Sequence, residues 1–102
     1  MGPIFEMRYY TIKPGTLPDI IKRWEGKIEE RTKFSPLALA GHVEHGEANS
    51  YLHIWPYESL NHRAEIREKA RAAGAWPPPG GGDMLLTQAN KIMLPAAFSP
   101  VQ

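Results

Sequence analysis

The order in which two hydrophobic periodicities alternate along the chain constrains its fold more than any other feature. A strand-like pattern over Phe5–Ile12 ends at a Pro-Gly turn signal. Apolar residues at helical spacing follow, then two more strand patterns, a second helix near Leu60–Ala73 and a last strand near Leu85–Leu94. The order βαββαβ predicts an α+β, ferredoxin-like fold, in which a four-stranded antiparallel sheet has two helices on one face.

The first helix is the clearest element in the sequence. Thr16 is a typical N-cap residue, and Pro18 suits the first turn. Apolar residues then recur at i, i+3, i+4, i+7 and i+11, and they are Leu17, Ile20, Ile21, Trp24 and Ile28. We expect one continuous helix as far as about Lys33, because Ser35-Pro36 stops it.

Length and composition indicate one cysteine-free domain over residues 1–102. The chain is long enough for one hydrophobic core and too short for two. Twelve basic and eleven acidic residues give a formal charge of +1, so we expect no nucleic-acid partner. No apolar run approaches the roughly 20 residues that span a bilayer, so no membrane span is expected either. The absence of cysteine excludes thiolate chemistry, and with no targeting signal recognised we expect a cytoplasmic location.

The segments LALAGHVEHG and SYLHIWPY flank a turn-rich stretch and predict an antiparallel hairpin. If Gly46 and Asn49 close the turn, His42 lies directly opposite His53 on one face. Two imidazoles that close disfavour double protonation, so one of them would stay neutral at pH 7. His42, Glu44 and His53 could also share a metal ion, but histidines on sheets are more often ordinary hydrogen-bonded residues. We expect neither a metal nor a cofactor.

Two strands carry polar and aromatic side chains at alternate positions, which places each set on one side of its strand. The sets are Glu6, Arg8 and Tyr10 on the first strand and His53, Trp55 and Tyr57 on the third. If the apolar residues Met7, Leu52 and Ile54 face the helices, the polar sets face away from them. There, Arg8 would hold an anionic or carbonyl group, and His53 would move a proton near neutral pH. A Glu–Arg pair with aromatic residues filling a subunit interface explains the same pattern without a ligand.

That orientation would leave an aromatic patch on the sheet face opposite the helices. Its members would be Tyr10, Trp55 and Tyr57. A large exposed aromatic patch normally marks an interface, and two such sheets packed face to face would bury it. We therefore expect an obligate homodimer, with higher oligomers left open.

The second helix and the loop after it carry weaker signals. Arg63, Arg67 and Arg71 recur every four residues, a row that could grip phosphate. The acidic residues between them favour a solvated helix face of mixed charge instead. The loop Trp76–Asp83 contains PPPGGG, and we expect it to be mobile and catalytically silent, at most a lid over one end of a pocket.

Three separated motifs, FEMRYYTIKPG, HIWPYESLNHR and ANKIMLPAAFSP, together resemble the NIPSNAP family of the dimeric α/β-barrel superfamily. The resemblance covers nearly the whole chain and includes the Asn-Lys pair of the family at Asn90 and Lys91. The PPPGGG stretch departs from the family pattern, which usually continues there with an amphipathic helical segment. The resemblance implies a homodimer of ferredoxin-like subunits. It does not imply one reaction, since the superfamily contains cofactor-free monooxygenases, lactone isomerases, haem enzymes and binding proteins.

Two functional classes are therefore expected. The first is a cofactor-independent oxygenase or isomerase acting on a small aromatic or carbonyl compound, with Arg8, Tyr10 and His53 as catalytic residues. The second is a non-catalytic module that binds a small ligand or a protein partner. Residues expected to contact a ligand are Glu6, His42, Trp55, Tyr57 and Asn90. A titratable group in an enclosed, water-poor pocket would favour the enzyme, and a fully packed interior would favour the module.

Overall fold

A computed structural model describes residues 1–77 and 82–102 and places four strands in one antiparallel sheet. The strands are β1 (Ile4–Ile12), β2 (Leu39–His42), β3 (Ser50–Tyr57) and β4 (Leu85–Met93). The helices are α1 (Leu17–Glu25), α2 (Ile28–Thr32) and α3 (Leu60–Ala72), and a 3-10 turn at Gly82–Met84 precedes β4. The strand order is β2-β3-β1-β4. The predicted α+β, ferredoxin-like architecture is confirmed.

The helical segment after β1 is divided at Gly26, whereas the sequence predicts one helix to about Lys33. The amide of Gly26 bonds the carbonyl of Lys22, and the amide of Lys27 bonds that of Trp24 in a tighter turn. Lys27 then has a φ of −125°, outside the helical region, so a new helix begins at Ile28.

The helices cover the sheet face that carries the polar sets of β1 and β3. Arg63 of α3 reaches Glu6 at 2.6 Å, and the ring of Trp24 in α1 contacts His53 with ring centroids 4.2 Å apart. The sequence-based expectation that these sets face away from the helices is therefore wrong. Alternation alone did not fix the face, because the intervening positions, such as Met7 and Leu52, are also apolar.

The predicted dimer interface changes with this orientation. Tyr10, Trp55 and Tyr57 are only 7%, 2% and 1% exposed, since the helices already cover them. The prediction of a dimer interface through these three residues is therefore wrong. On the opposite face of β1 and β3, Met7, Tyr9, Leu52 and Ile54 are half-buried, whereas Phe5 and Pro56 at one end of the strands are buried.

The β2–β3 hairpin is shifted by two residues from the predicted pairing. His42 lies opposite Tyr51 rather than opposite His53. The connecting loop is longer than expected and contains two residues with positive φ, Gly46 at 105° and Asn49 at 59°. Because the shift is even, His42 and His53 keep the same face without being direct partners. The predicted histidine pair is wrong.

The loop after α3 is described only at its two ends. Residues 78–81 lie outside the described residues, and the expectation of a mobile PPPGGG loop lies there with them. Before that segment, Ala75 is buried, and Trp76 packs against Trp24 with ring centroids 4.4 Å apart. In the part of the chain that the structure describes, every helix is too short or too polar to cross a membrane.

Candidate ligand-binding site

Glu6 is the buried centre of a cluster of charged side chains. Its fully buried Oε2 accepts hydrogen bonds from Arg63 Nη2 at 2.6 Å, Asn90 Nδ2 at 3.0 Å and Arg8 Nη1 at 3.2 Å. Its other oxygen, Oε1, lies 3.9 Å from Arg67 Nη1. Burial raises the pKa of Glu6, but the hydrogen bonds from Arg63 and Asn90 and the nearby positive charges outweigh burial and hold the pKa at about 2. Glu6 is therefore an ionised anchor that joins β1 to β4 and α3.

His53 is packed among aromatic rings on the same sheet face and is 1% exposed. The Tyr10 ring stacks parallel to it at 5.4 Å, and Trp24 meets it edge-on at 4.2 Å. Trp55 Nε1 donates to His53 Nδ1, so the neutral ring carries its proton on Nε2. Among the described residues, that Nε2 has no hydrogen-bond partner.

The surroundings of His53 keep its imidazole neutral. Burial, reinforced by the positive charge of Arg8, lowers the pKa of His53 to about 3. A base with that pKa is almost never protonated at pH 7. The expectation that His53 moves a proton near neutral pH is therefore at odds with its position in the core.

A buried arginine that the sequence analysis did not single out lies beside this aromatic cluster. Arg31 of α2 is 2% exposed, and its guanidinium carbon is 4.2 Å from the centre of the Trp55 ring. Its Nη1 donates to Ser35 Oγ at 2.9 Å, and its Nη2 donates to the Tyr57 hydroxyl at 2.8 Å. Burial lowers the pKa of Arg31, yet a guanidinium stays charged in proteins. In the described chain, both of its side-chain hydrogen-bond partners are uncharged hydroxyl groups.

A cavity of about 670 Å³ lies between the sheet and the helices, within the usual size of small-molecule sites. Its basic lining residues are Arg8, Arg23, Arg31, Arg63, Arg67 and Arg71. Its aromatic lining residues are Tyr10, Trp24, Tyr51 and Trp76. Among the described lining residues, Glu68 is the single acidic one. The cavity is therefore positively charged and has an aromatic wall.

Two of the eight predicted site residues, Arg8 and Tyr10, line this cavity. A hydrogen bond of 2.9 Å from Arg8 Nε to the Tyr10 hydroxyl joins them. Four others are buried behind the lining: Glu6, His53, Trp55 and Tyr57. Asn90 is exposed on β4 and donates a hydrogen bond to Glu6. His42 is on the exposed strand β2 with its Nε2 3.2 Å from Glu44 Oε2, and it is not among the described lining residues. No group of three His, Asp or Glu residues suited to a metal ion occurs within residues 1–77 and 82–102.

The arginine row of α3 turns partly toward the cavity, whereas its sequence favours a solvated face. Arg63 bonds Glu6, and Arg67 approaches it, because the buried carboxylate of β1 attracts both guanidinium groups. Arg71 instead pairs with Glu68, and both side chains are exposed although both residues line the cavity. Arg63 and Arg67 turn inward because Glu6 is buried on β1. The sequence of α3 alone does not reveal this partner.

The chain matches the family model described as NIPSNAP over residues 5–100. Protein NipSnap of Drosophila melanogaster is 33% identical over 107 residues, which cover 97% of this chain and 37% of that protein. Human Protein NipSnap homolog 3B is 33% identical over 76 residues, which cover 74% of this chain and 31% of that protein. The chain thus spans about a third of the length of these curated relatives.

Solved structures that resemble this chain include members of the same family. A NIPSNAP family protein with unknown function from Agrobacterium tumefaciens is 35% identical, with a TM-score of 0.89 over 97% of this chain and 93% of that chain. A candidate antibiotic biosynthesis monooxygenase from Nitrosomonas europaea shares the fold alone, at 10% identity and a TM-score of 0.68 over 88% of this chain and 95% of that chain. From the match over residues 5–100 and these relatives, the chain belongs to the NIPSNAP family.

Proposed function

We propose that the chain binds a small organic anion with a planar, largely apolar body in the cavity between sheet and helices. The observation that carries this proposal is the meeting of six guanidinium groups and four aromatic rings around one space. Guanidinium groups recognise carboxylate and phosphate oxygens, and aromatic rings favour planar apolar partners. A ligand with both features uses both kinds of lining.

The electrostatics of the cluster favour binding over acid–base catalysis. A general acid or base works best when its pKa lies near the working pH. The pKa of Glu6 is about 2 and that of His53 is about 3, so neither group changes its protonation state near pH 7. A non-catalytic ligand-binding module is therefore the function that we place first.

A cofactor-independent oxygenase or isomerase acting on a small aromatic or carbonyl compound is the second candidate. It is favoured by the buried Nε2–H of His53, a donor with no partner among the described residues. Such a donor can polarise a carbonyl group without giving up its proton. In this case Arg8, Tyr10 and His53 would carry the chemistry, and the fold-level likeness to the Nitrosomonas europaea protein fits it.

Thermal denaturation with matched ligands tests the binding proposal. We expect 1-naphthoate and 1-naphthyl phosphate to raise the melting temperature as their concentration increases, because a ligand that binds the folded state stabilises it. The neutral analogue 1-naphthalenemethanol should raise it less. No shift with either anion at millimolar concentration would contradict the proposal. Mass spectrometry of the recovered ligand separates the two candidates, since an unchanged ligand indicates binding without turnover.

A homodimer through the sheet face opposite the helices forms part of this proposal. Met7, Tyr9, Leu52 and Ile54 lie there on β1 and β3, the two central strands. Domains are built from layers that cover each other's apolar faces, and this face has no helical layer among the described elements. A second copy of the same sheet supplies the missing layer. We also place the protein in the cytoplasm, on the strength of its cysteine-free sequence.

A further inference from the structure

Four of the six arginines around the cavity have a carboxylate oxygen within hydrogen-bond distance. The pairs are Arg8–Glu6 at 3.2 Å, Arg63–Glu6 at 2.6 Å, Arg71–Glu68 at 2.5 Å and Arg23–Asp19 at 3.4 Å. The two arginines with no hydrogen bond to a carboxylate in the described chain are Arg31 and Arg67. The positive charge that the chain leaves for a ligand therefore lies mainly on this pair.

The partners of these two arginines are incomplete in different ways. Arg67 Nη1 is 3.9 Å from Glu6 Oε1, beyond hydrogen-bond distance. Arg31 donates only to the hydroxyl groups of Ser35 and Tyr57. Residues 78–81 are proline and glycine and bring no acidic side chain. A buried cation without a counter-charge is costly, so an anion from outside the chain would stabilise Arg31 in particular.

Both guanidinium groups lie over the same cross-strand pair. Glu6 of β1 is directly opposite Trp55 of β3, and direct partners have Cβ atoms about 4.5–5.5 Å apart. Arg67 approaches Glu6, while Arg31 lies 4.2 Å above the ring of Trp55. After burial and its effect on solvation, the positive charge of Arg67 also contributes to the lowered pKa of Arg31. The two cations therefore face one part of the cavity.

We infer that the ligand carries a compact oxyanion, a carboxylate or a phosphate, that is held between Arg31 and Arg67. The inference rests on the proposed ligand binding and names the chemistry of its charged end. An oxyanion between two guanidinium groups accepts hydrogen bonds from both and removes their mutual repulsion. Glu6 does not fill this place, because its Oε2 is already used by Arg8, Arg63 and Asn90, and its Oε1 is 3.9 Å from Arg67 Nη1, beyond hydrogen-bond distance. The planar body of the ligand then lies along Trp24 and Trp76, which line the same cavity.

Isothermal titration of 1-naphthoate into Arg67→Gln and Lys69→Gln tests this assignment. The Arg67 side chain is 41% exposed, so its replacement should leave the fold intact. Lys69 is an exposed cation of the same helix that is not among the described lining residues, and it controls for the lost positive charge. We expect Arg67→Gln to weaken 1-naphthoate binding about tenfold, or about 1.4 kcal/mol, and Lys69→Gln to change it less than twofold. Neutral 1-naphthalenemethanol should bind all three proteins equally.

A second variant, Arg31→Lys, tests the buried half of the pair. It keeps the charge but loses the planar fork, so we expect weaker 1-naphthoate binding in a protein whose circular dichroism is unchanged. If 1-naphthyl phosphate binds the wild type more tightly than 1-naphthoate, the oxyanion is a phosphate, and the reverse order identifies a carboxylate. Unchanged 1-naphthoate affinity in Arg67→Gln, or an equal loss in Lys69→Gln, would overturn the assignment and leave ligand binding intact. Failure of both anions to bind the wild type would overturn the proposed function itself.

Discussion

Arg63 Nη2 donates to Glu6 Oε2 over 2.6 Å, and this bond joins α3 to the central strand β1. Glu6 is fully buried, whereas the Arg63 side chain is 23% exposed, so the bond lies where the core meets the cavity. A carboxylate in such a place is stable only when it is paired and hydrogen-bonded. The position of α3 over the sheet, and with it the shape of the cavity, therefore depends on Glu6.

Replacement of Glu6 by glutamine should lower the free energy of unfolding at pH 7 by about 2–4 kcal/mol, because Arg8 and Arg63 lose their shared counter-charge. Urea denaturation measures this change. Glu68→Gln is the matched control, since the pair of Glu68 with Arg71 is exposed to solvent and its loss should be neutral to stability. A loss in Glu6→Gln no greater than in the control would rule out the anchoring role.

Acid should remove the contribution of Glu6 in a defined pH window. Its pKa is about 2 in the folded chain against an ordinary value of 4.5, so the unfolded chain takes up a proton first as the pH falls. The contribution is complete above pH 4.5 and disappears by about pH 2, and we expect it to be about 3 kcal/mol. Unfolding free energies of wild type and Glu6→Gln should thus converge between pH 4.5 and pH 2. A constant difference across that range would contradict the lowered pKa.

As the pH falls, His53 should begin to destabilise the protein earlier than Glu6 does, at pH values above 4.5. Its pKa is about 3 in the folded chain against 6.5 in the unfolded chain, so only the unfolded chain binds a proton between these values. Wild-type stability should fall by roughly 1 kcal/mol per pH unit from pH 6.5 to pH 4.5, a range in which the contribution of Glu6 stays nearly constant. His53→Asn should remove that slope, and His45→Asn, in the exposed hairpin loop, should retain it. Equal slopes in the two variants would show that His53 is not held neutral by its surroundings.

The sequence was sufficient for the order of the elements and for the sets of residues that share a face. Periodicity placed Glu6, Arg8 and Tyr10 together, and the structure joins these side chains by hydrogen bonds. It did not decide which face the helices cover, because Met7 and Ile54, on the other side of the sheet, are apolar as well. That choice depends on long-range partners such as Arg63, which no local pattern contains.

The sequence analysis missed two further features, the register of the β2–β3 hairpin and the burial of Arg31. The hairpin register moved by two residues because the turn contains two residues with positive φ, Gly46 and Asn49, in a loop longer than a tight hairpin needs. Arg31 follows Ile28 by three residues and so continues the apolar stripe of the first helix. A charged residue on an apolar stripe was the available signal for a buried arginine.

The oligomeric state gives an independent test of the sheet orientation. Light scattering at micromolar concentration should give the mass of two 11.5 kDa chains for the wild type. Ile54→Arg, which places a charge on the face opposite the helices, should give the mass of one chain. Leu60→Arg alters an exposed residue of α3 and should leave the dimer intact. A wild-type protein with the mass of a single chain would contradict the proposed interface.

A crystal structure of the protein grown with saturating 1-naphthoate tests ligand binding in the cavity most directly. We expect density for one ligand per chain between the sheet and α3. Its ring should lie against Trp24 and Trp76, and its carboxylate should lie within hydrogen-bond distance of Arg31 and Arg67. Ligand density elsewhere on the protein, with the cavity free of it, would contradict the proposed function.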